Sequence, residues 1–381
     1  MLTCQREAFR LPTDVHYLNC AYMSPLARRV EEAGIEGIRR KRDPSSIEPA
    51  DFFDNLDRVR GLFARVINVP DPSRVALIPS VSYGLATVAR NLPVPRGRTI
   101  VVGAEQFPSN VYCWRRLADE MGASLRTVAR PATGDWTSAV AEVIGPDVAV
   151  VAIGGAHWTD GGLLDLEEIG ERTRECGAAL VVDGTQSIGA VPFDVARIRP
   201  AAVVCAAYKW LLGPYSVGLA YFDPRFEQGT PLEETWMSRP GSEEFSGLVR
   251  YRDGYQPGAR RYDVGEASNF ILVPMVGEAL SMLLEWGIPR IAAYCLTLTR
   301  RIAEAAGEWG YGVAPEDLRA PHILGVRAPR KDVAERLRAL LQENRVRVSF
   351  RGDAVRIAPN VYNDESDVAP LVDALRRAAR S

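Results

Sequence analysis

Two residues in the middle of the chain have the chemistry to work on carbon–nitrogen bonds together: Asp183, which ends the apolar run ALVVD, and Lys209, inside CAAYKWLLGPYSVG. A lysine among apolar neighbours either snorkels to the surface or is desolvated, and desolvation favours its neutral amine. A neutral amine attacks an aldehyde carbon and forms a Schiff base. Only three of the 46 basic residues are lysines (Lys41, Lys209 and Lys331), so a lysine in an apolar stretch stands out. Arginine cannot do the same work, because its guanidinium does not give up a proton. An acid at the end of a buried strand either caps the following turn, here GTQS, or meets a cation. A protonated ring nitrogen is one such cation, and an acid beside it keeps the ring an electron sink for carbanion chemistry.

Other candidates surround this pair. Ser80-Val81-Ser82-Tyr83-Gly84 follows an apolar run and opens a helical pattern. Hydroxyls and free N–H groups at a helix start either cap the helix or hold an anion. Phe107, in EQFPSN, is a core aromatic or a plate that stacks on a flat ring. Arg356, in AVRIAPNVYN, alternates within an apolar strand. It needs an anionic partner, either an internal carboxylate or that of a substrate.

The elements that must position these residues alternate in period. Short β-branched runs at Val75–Ile78, Thr99–Gly103, Val148–Ile153, Leu180–Asp183 and Ala202–Cys205 read as buried strands. Helical spacing at Val111–Met121 and Leu166–Cys176 lies between them. Strands alternating with helices predict an α/β fold with a mostly parallel sheet covered on both faces. Ligands of such sheets sit outside the carboxyl ends of the strands, where Ser82, Phe107, Trp158, Asp183, Gln186, Tyr208 and Lys209 all fall. Beyond about residue 260 the spacing predicts helices at Phe270–Trp286 and Ile288–Trp309. A smaller α+β pattern follows: strand His322–Val326, helix Lys331–Glu343, strands Val346–Phe350 and Ala354–Ile357, and helix Asp364–Arg380. The expected division is an N-terminal segment, 1–20, near the domain junction, a large domain, 21–260, and a small C-terminal domain, 261–381.

Composition narrows the function. A net charge of −2 provides no positive field for nucleic acid or anionic membrane. No apolar run reaches membrane-spanning length. Six scattered cysteines form no C-x-x-C pair, and no histidine sits at metal-ligand spacing, so no metal is expected and a reducing cytoplasm is. No G-x-G-x-x-G follows the first strand, which disfavours a nicotinamide dehydrogenase.

The segment VVDGTQSIGAVPFDV followed by CAAYKWLLGPYSVGLAYF resembles the cofactor signature of the class V aminotransferase family, fold-type I enzymes that use pyridoxal 5′-phosphate (PLP). The likeness runs from YLNCAYMSPL to AVRIAPNVYNDESDV. It implies a large PLP-binding domain with a mostly parallel sheet and a smaller α+β domain. It also implies roles. Lys209 is the Schiff-base lysine and proton shuttle, and Asp183 the partner of the pyridine nitrogen. Gln186 contacts the phenolic oxygen, Phe107 stacks on the ring, and Val81 and Ser82 bind the phosphate. Tyr208 reaches that phosphate, and Trp158 flanks the cofactor. Arg356 grips the substrate carboxylate, with Asn19 beside the substrate. The stretch RRYDVGEASNF resembles a segment that a neighbouring subunit offers to the phosphate through Glu266 and Ser268, which implies a homodimer with a shared site. Three departures stand out. Ala206 replaces a serine that often binds phosphate, and Trp158 stands where cysteine desulfurases carry asparagine. VRVSFRGDA has no cysteine where desulfurases carry their persulfide-forming one. The expected activity is amino transfer at the α-carbon of a small amino acid. The alternatives are β-elimination by a C–S lyase, epimerisation and, remotely, a PLP-fold binding protein without catalysis.

Overall fold

The computed structural model describes residues 2–380. A short strand β1 (His16–Tyr17) is followed by helices α1 (Arg28–Arg40) and α2 (Asp54–Val66). The chain then alternates through β2 (Val75–Ile78), α3 (Val81–Asn91), β3 (Thr99–Gly103), α4 (Ser109–Met121), β4 (Ser124–Val128), α5 (Trp136–Glu142) and β5 (Val148–Gly154). It continues through α6 (Leu166–Glu175), β6 (Ala179–Asp183), α7 (Val195–Ile198), β7 (Ala202–Ala206) and β8 (Gly218–Phe222). Strands β2 to β8 form one seven-stranded sheet in the order β2-β8-β7-β6-β5-β3-β4. Neighbours from β7 to β4 run parallel, and β8 is antiparallel to both β7 and β2.

The strand residues show why this sheet is central. Val151, Ile153, Leu180, Val182 and Val203 face one apolar core, while Val150, Ala152, Val181 and Val204 face another. A strand buried on both faces has no polar alternation, which is why these runs are continuously apolar. The sequence pattern passed over two strands of this sheet. β4, SLRTV, is an edge strand with charged and half-exposed positions. β8, GLAYF, begins at a glycine just after the Gly-Pro turn.

Two long helices, α8 (Leu272–Trp286) and α9 (Ile288–Glu308), lead to the smaller sheet. Helix α8 packs on α1 and α2. Gly37 permits this approach, since a Cβ there would run into the backbone of Phe270 and Ile271. The smaller unit follows with β9 (Gly312–Val313), β10 (Leu324–Arg327), α10 (Lys331–Glu343), β11 (Val346–Arg347), β12 (Ser349–Arg351), β13 (Ala354–Ile357) and α11 (Glu365–Arg380). Its four-stranded sheet has the order β12-β13-β10-β9 and a core of its own, to which Leu18 from the N-terminal segment contributes.

The single strand expected over Val346–Phe350 is instead two. β11 pairs with β1 in parallel and β12 pairs with β13 antiparallel, so the ladder breaks at Val348, where the partners change. The pairing with β1, together with Cys20 N–H donating to Ala358 O at 2.9 Å, ties the N-terminal segment to the small sheet.

Candidate active site

The carboxyl ends of β3, β5, β6 and β7, together with the start of α3, enclose a cavity of ≈ 340 Å³. Of the residues singled out in the sequence, Val81, Ser82, Phe107, Trp158, Asp183, Gln186, Tyr208 and Lys209 line it.

Lys209 follows β7 and is only 7 % exposed. Its placement depends on Gly189, whose φ is +95° and where a Cβ would strike the backbone of Trp210. The turn after β6 can therefore lie directly against the lysine loop. Burial pushes the Lys209 amine down to about 8, helped by the cations Arg356 and Arg351, while Asp183 opposes the shift. Near pH 8 such an amine is neutral far more often than an ordinary lysine. Asp183 accepts the Thr185 N–H at 3.0 Å. Burial pushes its carboxyl up, and Thr185 and Lys209 pull it back.

The first turn of α3 is capped by Ser80, whose Oγ accepts the Tyr83 N–H at 3.2 Å and lies 2.9 Å from Ser82 Oγ. The cap leaves the N–H groups of Val81 and Ser82, at the positive end of the helix dipole, for an anion. Phe107 and Trp158 meet edge to face, with ring centroids 5.5 Å apart. The Lys209 Nζ lies 5.6 Å from the Phe107 ring centre and 5.5 Å from that of Tyr208. Gln186 Nε2 donates to Ala21 O at 3.1 Å and its Oε1 accepts from Trp210 Nε1 at 2.9 Å. One Nε2 hydrogen is then left for a ligand.

Four expected residues are not on the wall of the cavity. Arg356 stands behind Trp158: its Nη1 donates to Trp158 O at 2.7 Å, and its Nη2 reaches Ser349 Oγ at 3.4 Å. No carboxylate meets Arg356 among the described residues. Asn19 lies one layer further back, its Oδ1 accepting from Ser349 Oγ at 2.9 Å. Glu266 and Ser268 lie in the loop before α8, away from this chain's cavity, and Ser268 Oγ approaches Met237 Sδ at 3.8 Å.

Sequence reading missed other participants. Thr185, Tyr215 and Ser216 line the cavity. Tyr215 and Ser216 belong to the GPYS stretch, where a Gly-Pro pair signals a turn and carries no sign of a ligand. Glu105 adopts a left-handed φ of 53°, a strained choice for a non-glycine residue. Its side chain pairs with Arg130 at 2.7 Å and its carbonyl accepts the Trp158 Nε1–H at 2.6 Å. Glu105 thereby fixes two walls at once, Trp158 through this bond and Phe107 through the chain.

A buried amine reactive toward aldehydes, a carboxyl placed for a ring nitrogen, a helix start open to a phosphate and a flat aromatic wall suit one cofactor, PLP. The large mixed sheet with its smaller companion is the fold-type I architecture of PLP enzymes. The Aminotransferase class-V family profile matches residues 46–365, and the chain belongs to that family, whose cofactor is PLP. It is 28 % identical to an isopenicillin N epimerase of Streptomyces clavuligerus, over 96 % of this chain and 94 % of that one. It is 26 % identical to an uncharacterized aminotransferase of Bacillus subtilis, over 87 % of this chain and 90 % of that one. Among solved structures, a mutant of C-DES with glycine covalently linked to its PLP cofactor superposes with a TM-score of 0.86 at 20 % identity, covering 99 % of both chains.

Proposed function

We propose that this chain is a PLP-dependent enzyme that moves a proton at the α-carbon of an amino acid and completes an amino transfer there. The observation that carries this reading is the pair of half-buried Asp183 and buried Lys209, which line one cavity from the ends of neighbouring strands. Bound PLP supplies an electron sink for the carbanion at the α-carbon. Asp183 would hold the ring nitrogen, Val81 and Ser82 the phosphate, and Gln186 the phenolic oxygen. Phe107 would cover the ring and exclude water from one face. Lys209 would anchor the cofactor and carry the proton, because an amine brought to about 8 both takes and returns a proton near neutral pH. Arg356, which meets no carboxylate among the described residues, would bind that of the substrate. No cysteine lines the cavity among the described residues, so a protein persulfide has no place in the reaction.

Glu266 and Ser268 sit away from their own cavity, which supports a homodimer in which each subunit offers them to its neighbour's phosphate site. A second reading, epimerisation, is supported by the near full-length likeness to an isopenicillin N epimerase. Incubation of the purified holoenzyme with alanine, glutamate and cysteine separates the readings. A new amino acid formed only when a keto acid is added supports amino transfer. Ammonia and pyruvate without a keto acid support β-elimination, and loss of optical rotation without either supports epimerisation. No change in any substrate overturns the enzymatic reading.

A further inference from the structure

The hairpin from β12 to β13 brings a second arginine to the same place as Arg356. Arg351 ends β12, the turn passes through Gly352 at φ +56°, and Arg356 lies on β13 opposite Ser349. Both guanidinium groups stand over the indole of Trp158, at 5.3 Å for Arg351 and 5.9 Å for Arg356. Trp158 lines the cavity, so the two cations stack together against one of its walls.

Neither cation is neutralised within the described residues. The acid nearest Arg351 in sequence, Asp353, is taken by Arg327 at 3.1 Å. Asp160 is held by Arg130 and Arg327. Arg351 spends Nη1 on the adjacent Phe350 carbonyl at 2.8 Å, and its Nε is buried without a partner. The Nε of Arg356 is in the same condition. Two planar forks with unused donors, side by side and without a carboxylate, are an arrangement that attracts two anionic groups. The α-carboxylate of an amino acid satisfies one of them.

We propose that Arg351 receives a second carboxylate, on the substrate's side chain, so that the site selects dicarboxylic amino acids. This selection rests on the amino-acid reading above, but a ligand that cannot react tests it separately. Arg351 acts on specificity and leaves the proton transfer to Lys209.

The test measures binding of glutarate and of butyrate to the holoenzyme by titration calorimetry, in the native protein and in Arg351→Met and Arg351→Lys. A charge-assisted arginine–carboxylate contact favours the dicarboxylate by about ten- to a hundredfold. The expected result is that glutarate binds the native protein tighter by that factor, Arg351→Met removes the preference while still binding butyrate, and Arg351→Lys restores part of it. Equal binding of the two acids to the native protein overturns the proposal, as does an undiminished preference in Arg351→Met. Absorbance of the bound cofactor after adding alanine or glutamate serves as the control for the wider reading. A spectrum that responds to neither amino acid sinks that reading alone. A response to alanine, with no preference for glutarate over butyrate, sinks the role of Arg351 alone.

Discussion

The two sides of the cavity are built in different ways. On the Asp183–Lys209 side, both groups emerge from adjacent central strands, β6 and β7, whose register pairs Asp183 with Val204. Their positions are set by strands buried on both faces and by a close backbone contact at Gly189. On the Trp158 side, the wall is assembled from a loop of the large sheet and an arginine hairpin of the small one, joined by hydrogen bonds and ion pairs. A rigid side suits bond-making groups, whose alignment must be kept through the reaction. A side shared between two sheets can adjust to the ligand, which suits recognition.

The largest effect expected is on the rigid side. Lys209→Ala should lose the cofactor's covalent attachment and lower turnover by at least about a thousandfold, read from the visible spectrum and a steady-state assay. Turnover near the native rate would assign the anchor and the base to other groups. Asp183→Asn keeps the size of the side chain and removes its charge. Turnover should fall about ten- to a hundredfold, the worth of one charge-assisted hydrogen bond, with the fold intact by circular dichroism.

The coupling between the two sides has a pH signature. The neutral form of Lys209 is the reactive one, so protein stripped of cofactor should take up PLP faster as pH rises through about 8 and level off above that. Arg356 is one of the cations that lower the amine, so Arg356→Met should move the midpoint to higher pH. An unchanged midpoint, followed by stopped-flow absorbance, would show that the two sides act independently. The smallest effect belongs to the anion end: Ser80→Ala removes a helix cap worth about 1 kcal/mol of stability, visible in a denaturant titration. It should also speed cofactor loss during dialysis.

The rigid side was the legible one. A polar residue that ends a continuously apolar run marks the edge of a buried sheet, which singles out Asp183, and the scarcity of lysine singles out Lys209 in its apolar stretch. The shared side was less so. Arg356 reads in the sequence as a buried cation in need of an anion, whereas nothing in the spacing around Arg351, next to Gly352, singles it out. Only pairing of β12 with β13 puts both above Trp158. Glu105 was illegible for another reason: its left-handed backbone is imposed by tertiary contacts with Arg130 and Trp158, which no local pattern encodes.

The segment from Asn19 to Ser24 has a consequence for how the protein matures. Cys20 Sγ approaches Lys209 O at 3.8 Å, Ser24 N–H donates to Tyr208 O at 3.0 Å, and Ala21 O receives Gln186 Nε2. The same segment is held on its other side by Ser349, 330 positions after Asn19. Contacts so distant in sequence form late, because the intervening chain must be ordered before they are rewarded. During synthesis, a nascent chain that has made the whole central sheet still lacks the hairpin that clamps this segment beneath the lysine. Retention of cofactor is then a timestamp for the end of folding, and a pulse-labelled chain should become yellow only after its last strands have left the ribosome.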